Sequence, residues 1–239
     1  MHYAEYKHTD PVLVHALVDV FPFAAISVNG SQGPRIAHAP LTFRNGQFPA
    51  GALEFHLAKA NPIARDMKIG VPVTILVQGP GAAISPSWFT SSFPQPDSDR
   101  SRTAPTYNYI SLIMNGRLEF MDDLALQTQI RDMVLASEPD GGWRTEELAP
   151  DLWQGWRKLI QGYRLEIESF DLTAKLSPGE IPDDKVGVIA GLLERGVLAD
   201  EGMAYLLGGY EGTSQSLVSL VRALKHGVGT SSSSGGVGF

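Results

Sequence analysis

Phe23–Gln47 reads FAAISVNGSQGPRIAHAPLTFRNGQ. Two apolar runs are separated by NGSQGP, and a second turn signal, RNGQ, follows. Short runs of this kind, broken by Asn-Gly and Gly-Pro, read as strands joined by tight turns, because Gly and Asn reach the backbone conformations such turns require. The pattern continues in ALEFHLA (52–58), VPVTILVQG (71–79) and YNYISLIMNGRLEFMDD (107–123). Five or six strands at this spacing predict an antiparallel barrel. YRLEIESF (163–170) alternates Tyr163, Leu165 and Ile167 with charged residues and reads as a strand returning to it.

Helices surround these strands. Asp10 is a cap and Pro11 a first-turn residue for a helix carrying Val14, Leu17, Val18 and Phe21, with His15 on it. Asn61-Pro62 opens a short helical stretch with Ile63, Ala64 and Met67. Asp122 or Asp123 caps a helix carrying Leu126, Ile130, Met133 and Val134. PDLWQGWRKLI (150–160) reads as a third, with Leu152, Trp153, Trp156, Leu159 and Ile160 on its apolar side. PDDKVGVIAGLLERG is a fourth, ended by Gly196, and EGMAYLLGG and TSQSLVSLVRALKHG are two more. The Ser/Gly-rich end, 227–239, is expected to be a flexible tail.

The chain has 239 residues and a net charge of −7. No Lys/Arg cluster interrupts that acidic balance, which argues against direct nucleic-acid binding, since phosphate contacts require cations. The chain has no cysteine, which excludes disulfides, thiolate metal sites and a Cys nucleophile. The six histidines are scattered, and no metal site is expected. MHYAEYKHTD has no apolar signal core and no run reaches membrane length, so a cytoplasmic protein without a membrane partner is expected.

GPGAAI (79–84) nearly matches a dinucleotide-binding fingerprint, but the following SPSW cannot start the helix that would hold a pyrophosphate. It reads as a turn that needs backbone freedom. His38 and His56 stand isolated in separate predicted strands, where the plain reading is a core histidine held by a backbone carbonyl. Lys59 and Arg65 flank Asn61-Pro62, either as a solvated face or as cationic anchors for a phosphate beside a helix start. ISPSWF and TYNYI bring hydroxyls, an amide and aromatics including Trp88, Tyr107 and Tyr109, which suit the edge and face of a flat heterocycle. By chemistry alone, core or dimer packing is the favoured reading of Trp88, Tyr107 and Tyr109.

The order of FPFAAI, AHAPLTF, HLAKANP, VQGP with AISPSWF, APTYNYI and KLSPGEIPDDKVGVIAGL resembles the PaiB-type FMN-binding split-barrel family over residues 1–195. The resemblance implies an α+β fold, an antiparallel split β-barrel with peripheral helices; outside it, the residues themselves read as a helical C-terminal extension (196–226) and the tail (227–239). The resemblance further implies a homodimer with FMN as cofactor. The positions matching the family's motifs are His38 and Pro40, His56, Lys59, Asn61, Ser85, Ser87, Trp88, Asn108 and Tyr109. By their chemistry, Lys59 suits the phosphate, and Ser85, Ser87 and Asn108 suit polar edges. Gly81, Ala83, Ser92 and Ile113 depart from the family pattern, removing cationic and ring-nitrogen groups, and predict a roomier, more apolar pocket.

The sequence therefore supports a flavin-binding protein, an oxidoreductase or redox-linked regulator acting on a small-molecule ligand. The alternative is a flavin-independent biosynthetic enzyme that reuses the barrel pocket for an apolar substrate. A purely regulatory binding module is a third reading, disfavoured by the acidic charge. No catalytic residue is assigned.

Overall fold

The computed structural model of the chain describes residues 4–177 and 181–225. The segment expected as a tail, 227–239, lies outside the described residues. Eight antiparallel strands form one sheet: β1 (Lys7–His8), β2 (Phe23–Gly30), β3 (Gly33–Pro40), β4 (Thr42–Arg44), β5 (Ala52–Ala58), β6 (Pro72–Ile84), β7 (Thr106–Phe120) and β8 (Ile160–Lys175). Their order is β3-β2-β6-β7-β8-β5-β4, with β1 paired to β8. Among the described residues there are six α-helices: α1 (Pro11–Val20), α2 (Asp123–Ser137), α3 (Pro150–Trp156), α4 (Pro182–Arg195), α5 (Leu198–Gly209) and α6 (Ser214–Leu224).

Two compact units emerge. The first comprises Met1–Gly79 and Tyr109–Lys175, and the second Pro80–Asn108 and Leu176–Phe239. Helices α5 and α6, read from the sequence as a separate extension, belong to the second unit together with α4.

Local sequence explains most of the first unit. The β2–β3 hairpin pairs Gly30 with Gly33 across a two-residue turn, as the NGSQGP signal requires. Asp10 caps α1 by accepting from the Val12 N–H at 2.9 Å, and Asp122 caps α2 by accepting from Ala125 N at 2.8 Å. Leu13, Val14 and Leu17 of α1 are fully buried, as are Ile26, Leu53, Phe55, Ile75 and Leu112 on the strands. Phe55 and Tyr163, cross-strand partners of β5 and β8, stack at 5.4 Å. A bulge at Asn115/Gly116 interrupts the β7–β8 register. There a Cβ on Gly116 would stand 2.0 Å from the Glu166 carbonyl oxygen, so only glycine fits. Glu54 is a buried charged group of this unit, 6% exposed and bonded to Arg44 at 2.7 Å and Arg164 at 3.0 Å.

The structure corrects two readings. PDLWQGWRKLI is not one helix: α3 ends at Trp156, and Ile160 begins β8, paired with Ala58. No residue of α3 is buried, so its apolar side is not core. GPGAAI is not a turn either, since all six residues lie within β6. Its glycines serve close approach, with Gly79 against Ile110 and Gly81 against Tyr107. The returning strand alternates as expected, burying Tyr163, Leu165 and Ile167, and extends to Lys175.

In the second unit α4, α5 and α6 pack on one another through Val188, Leu192, Met203, Leu206, Leu207, Leu217 and Val221, all buried. Gly196 ends α4 in the left-handed conformation, φ 68°. Among the described residues no helix is long and apolar enough to cross a membrane.

Candidate functional site

The motif residues divide between the units. His38, His56, Lys59, Asn61 and Tyr109 belong to the first, and Ser85, Ser87, Trp88 and Asn108 to the second.

In the second unit, Ser85 caps a 3-10 turn, Pro86–Trp88, by accepting from the Ser87 N–H at 3.2 Å. Its hydroxyl proton is left free to donate, and the Ser87 side chain is exposed. The turn aims Trp88 at α4. A Cβ on Gly191 would stand 2.4 Å from the indole, and the Arg195 guanidinium lies 5.0 Å from the ring centroid. Arg195 is itself held by buried Asp200 at 2.6 Å, a hydrogen bond that pushes the guanidinium pKa further up. Trp88 is thus a packing residue of the helical layer. Asp184 at the start of α4 accepts from Ser91 N at 2.7 Å, from Ser92 N at 3.0 Å and from the Ser92 hydroxyl. Burial pushes its pKa up, but the three donors outweigh burial and hold the carboxyl below its ordinary range. Ser92, one of the departures from the family pattern, therefore has a structural partner.

Asn108 is fully buried. Its Oδ1 faces the Ser177 hydroxyl at 3.4 Å, and its Nδ2 has no partner among the described residues. A buried donor without an acceptor is costly, so the amide is a natural point of ligand contact. The room expected at Gly81 is taken by Tyr107, whose ring a Cβ there would meet at 2.9 Å. Ala83 and Ile113 are exposed.

In the first unit His38 is exposed on β3 beside Phe23, with ring centroids 5.8 Å apart, and is not a core histidine. Pro40 closes the same strand. His56 on β5 is half-buried, and its Nδ1 lies 2.8 Å from the Gln129 side-chain oxygen, where a backbone carbonyl was expected. Asn61 caps the 3-10 turn Pro62–Arg65 by accepting from Ile63 N at 3.2 Å. Lys59 precedes that turn. Its backbone N–H is fixed to the Leu159 carbonyl at 2.8 Å, while its ammonium is exposed and has no partner among the described residues. Tyr109 is half-buried on β7 opposite Lys175. Among the described residues no cluster of three or more His, Asp or Glu could hold a metal ion.

Sequence reasoning missed a cavity in this unit, a chamber of about 540 Å³ walled by α2, α3 and the Thr145–Glu147 turn. His56, Ile130, Met133, Trp143, Trp153 and Trp156 line it. The available signal was the crowding of three of the chain's four tryptophans between 143 and 156.

In the first unit, an exposed ammonium without a partner among the described residues, beside a capped turn, is the kind of cation a flavin phosphate uses, so the residues there suit that cofactor. The comparisons agree. A family model described as "Putative FMN-binding domain" matches residues 1–169. "Protease synthase and sporulation protein PAI 2" of Bacillus subtilis (strain 168) is 29% identical over 168 residues, covering 69% of this chain and 76% of that protein. Two solved structures share the fold. The flavocytochrome Anf3 from Azotobacter vinelandii has a TM-score of 0.55 at 18% identity, covering 78% of this chain and 77% of that one. The FAD and heme binding protein from Mycobacterium smegmatis has a TM-score of 0.51 at 17% identity, covering 78% and 80%. The fold is the α+β split barrel, and the chain belongs to the PaiB-type FMN-binding domain family.

Proposed function

We propose that this protein binds FMN and acts on a small molecule as an oxidoreductase, working as a cytoplasmic homodimer. The observation that carries the reading is the family match, which runs from the first residue through β7 and most of β8. FMN, when bound, supplies the redox centre. The chain binds and orients it. Lys59 offers the phosphate a cation at the entry to the Asn61-capped turn, and its backbone is pinned to Leu159, so the anchor is preorganised. In the second unit the Asn108 amide is the donor proposed to meet a ligand's polar edge. A regulatory role through direct DNA contact is disfavoured by the net charge of −7.

The test is FMN titration of wild type and Lys59→Ala. The ammonium has no partner among the described residues, so the variant should melt like wild type. It should bind FMN more weakly by about tenfold to a hundredfold, the worth of a hydrogen bond to a charged group. Equal affinities would remove Lys59 from the site. Sedimentation of the same samples tests the dimer: a monomer at micromolar concentration would contradict it.

A further inference from the structure

The tryptophan chamber of the first unit is lined without a single Lys or Arg, and Glu146 stands among its lining residues. That composition repels a phosphate-bearing ligand such as FMN. Its volume, about 540 Å³, lies in the range of small-molecule sites. Trp143 and Trp156 keep 40% and 52% of their surface exposed, a large aromatic area for the chain to leave uncovered.

The chamber also holds one oriented polar group. Gln129 on α2 is fully buried, and its Nε2 donates to the Thr42 hydroxyl on β4 at 3.0 Å. With the amide nitrogen so committed, the amide oxygen faces His56 Nδ1 at 2.8 Å. With the amide in this orientation Nδ1 donates to it, and in that tautomer Nε2 is the ring's acceptor, with no hydrogen-bond partner among the described residues. A buried Gln spent on fixing one imidazole tautomer is the support expected for a ligand contact. A concave aromatic wall with an imidazole held in place by a buried Gln suits a small molecule better than the surface of a second copy, which is broad and needs no such anchor.

We infer that this chamber is a binding site for a flat, apolar, uncharged aromatic molecule carrying one hydrogen-bond donor, a phenol or N–H heterocycle, which stacks on the tryptophans and donates to His56 Nε2. The inference rests on the first unit alone and does not require the flavin reading.

The experiment uses the full chain and two probes, 4-phenylphenol and 4-methoxybiphenyl, which share the ring system but differ in the donor. Calorimetry should show saturable binding of 4-phenylphenol, one per chain, with a change in tryptophan emission. The methoxy compound should bind about three- to tenfold more weakly, the worth of one neutral hydrogen bond. His56→Phe should bring the ratio of the two affinities to one, whatever it does to either alone. Gln129→Leu should reduce the ratio, because the ring loses its orientation. Glu146→Gln, which leaves the fold's core untouched, should admit biphenyl-4-carboxylate where wild type rejects it. Excess FMN should not displace 4-phenylphenol. Equal binding of the two probes by wild type, displacement by FMN, or no saturable binding alongside a dimer that shields the tryptophans from acrylamide would each overturn the inference, the last by assigning the chamber to a second copy.

Discussion

Substituting Gly191 by alanine tests how the second unit is built. In a solvent-facing helix the change stabilises by about 1 kcal/mol, because alanine loses less backbone entropy and favours the helix. At Gly191 the new Cβ would stand 2.4 Å from Trp88 Cδ2 and Cε2 and 2.5 Å from Cγ. Ordinary contact begins at 3.4 Å, so the ring or α4 must give by about an ångström. Neither is a free end: Trp88 follows the Ser85-capped turn, and Arg195 lies over its ring. Overpacking of this kind costs about 1–3 kcal/mol, and the closeness places it at the upper end. The net effect should be a loss of about 1–2 kcal/mol. In a Trp88→Ala background the obstruction is gone, and Gly191→Ala should become stabilising by about 0.5–1 kcal/mol. The coupling in the double-mutant cycle is then about 1.5–3 kcal/mol. Urea unfolding of the four proteins, followed by far-UV circular dichroism because Trp88 is itself changed, reads it directly. Stabilisation by Gly191→Ala in the wild-type background, or the same effect in both backgrounds, would refute the packing account of Trp88.

Asp184 is held below its ordinary value of 3.8, so its contribution is complete above that pH and fades as pH falls through the lower folded value. Asp184→Asn should therefore melt below wild type at neutral pH, with the gap closing in acid below about pH 3.8; a gap constant from pH 7 to pH 3 would contradict the Ser91–Ser92 cradle. Glu54→Ala takes one carboxylate from Arg44 and Arg164, which keep Asp132 at 2.9 Å and Glu166 at 2.8 Å and retain 24% and 27% exposure, so the loss should fall below that of a broken buried pair, about 1–2 kcal/mol by urea midpoint. A change under about 0.5 kcal/mol would mean water already serves those charges. Asn108→Leu removes a buried amide whose Nδ2 has no partner among the described residues, and stability should hold or rise by about 1 kcal/mol. A loss of 2 kcal/mol or more would show that the amide is paired.

The strands and caps were legible because their causes are local. NGSQGP dictates the β2–β3 turn, and Asp10, Asn61 and Asp122 cap where side-chain chemistry says they should. GPGAAI was misread because glycine and proline usually mark turns, whereas here the glycines lie against Ile110 and Tyr107, neighbours far along the chain. The α3 reading failed for a related reason. Leu152, Trp153, Trp156, Leu159 and Ile160 keep helical spacing, but pairing with β5 claims the chain from Ile160, Leu152 is exposed, and Trp153, Trp156 and Leu159 face a chamber rather than a core. Motif order carried the family, since short segments in a fixed sequence survive where overall identity is only 29%. It could not say that Trp88 would be engaged by α4, or that Tyr107 would fill the space at Gly81. Both are long-range contacts that no local pattern encodes.

Flavin binding is the central claim, and native mass spectrometry of the full chain titrated with FMN tests it most directly, because mass reports ligand and subunit number together. The account predicts a saturable adduct of one FMN per chain on a dimer, with the flavin absorption band shifted on binding and the adduct weakened in Lys59→Ala. A wild-type protein that remains free of FMN at millimolar cofactor, with an unshifted band, would contradict it and leave the barrel to another ligand.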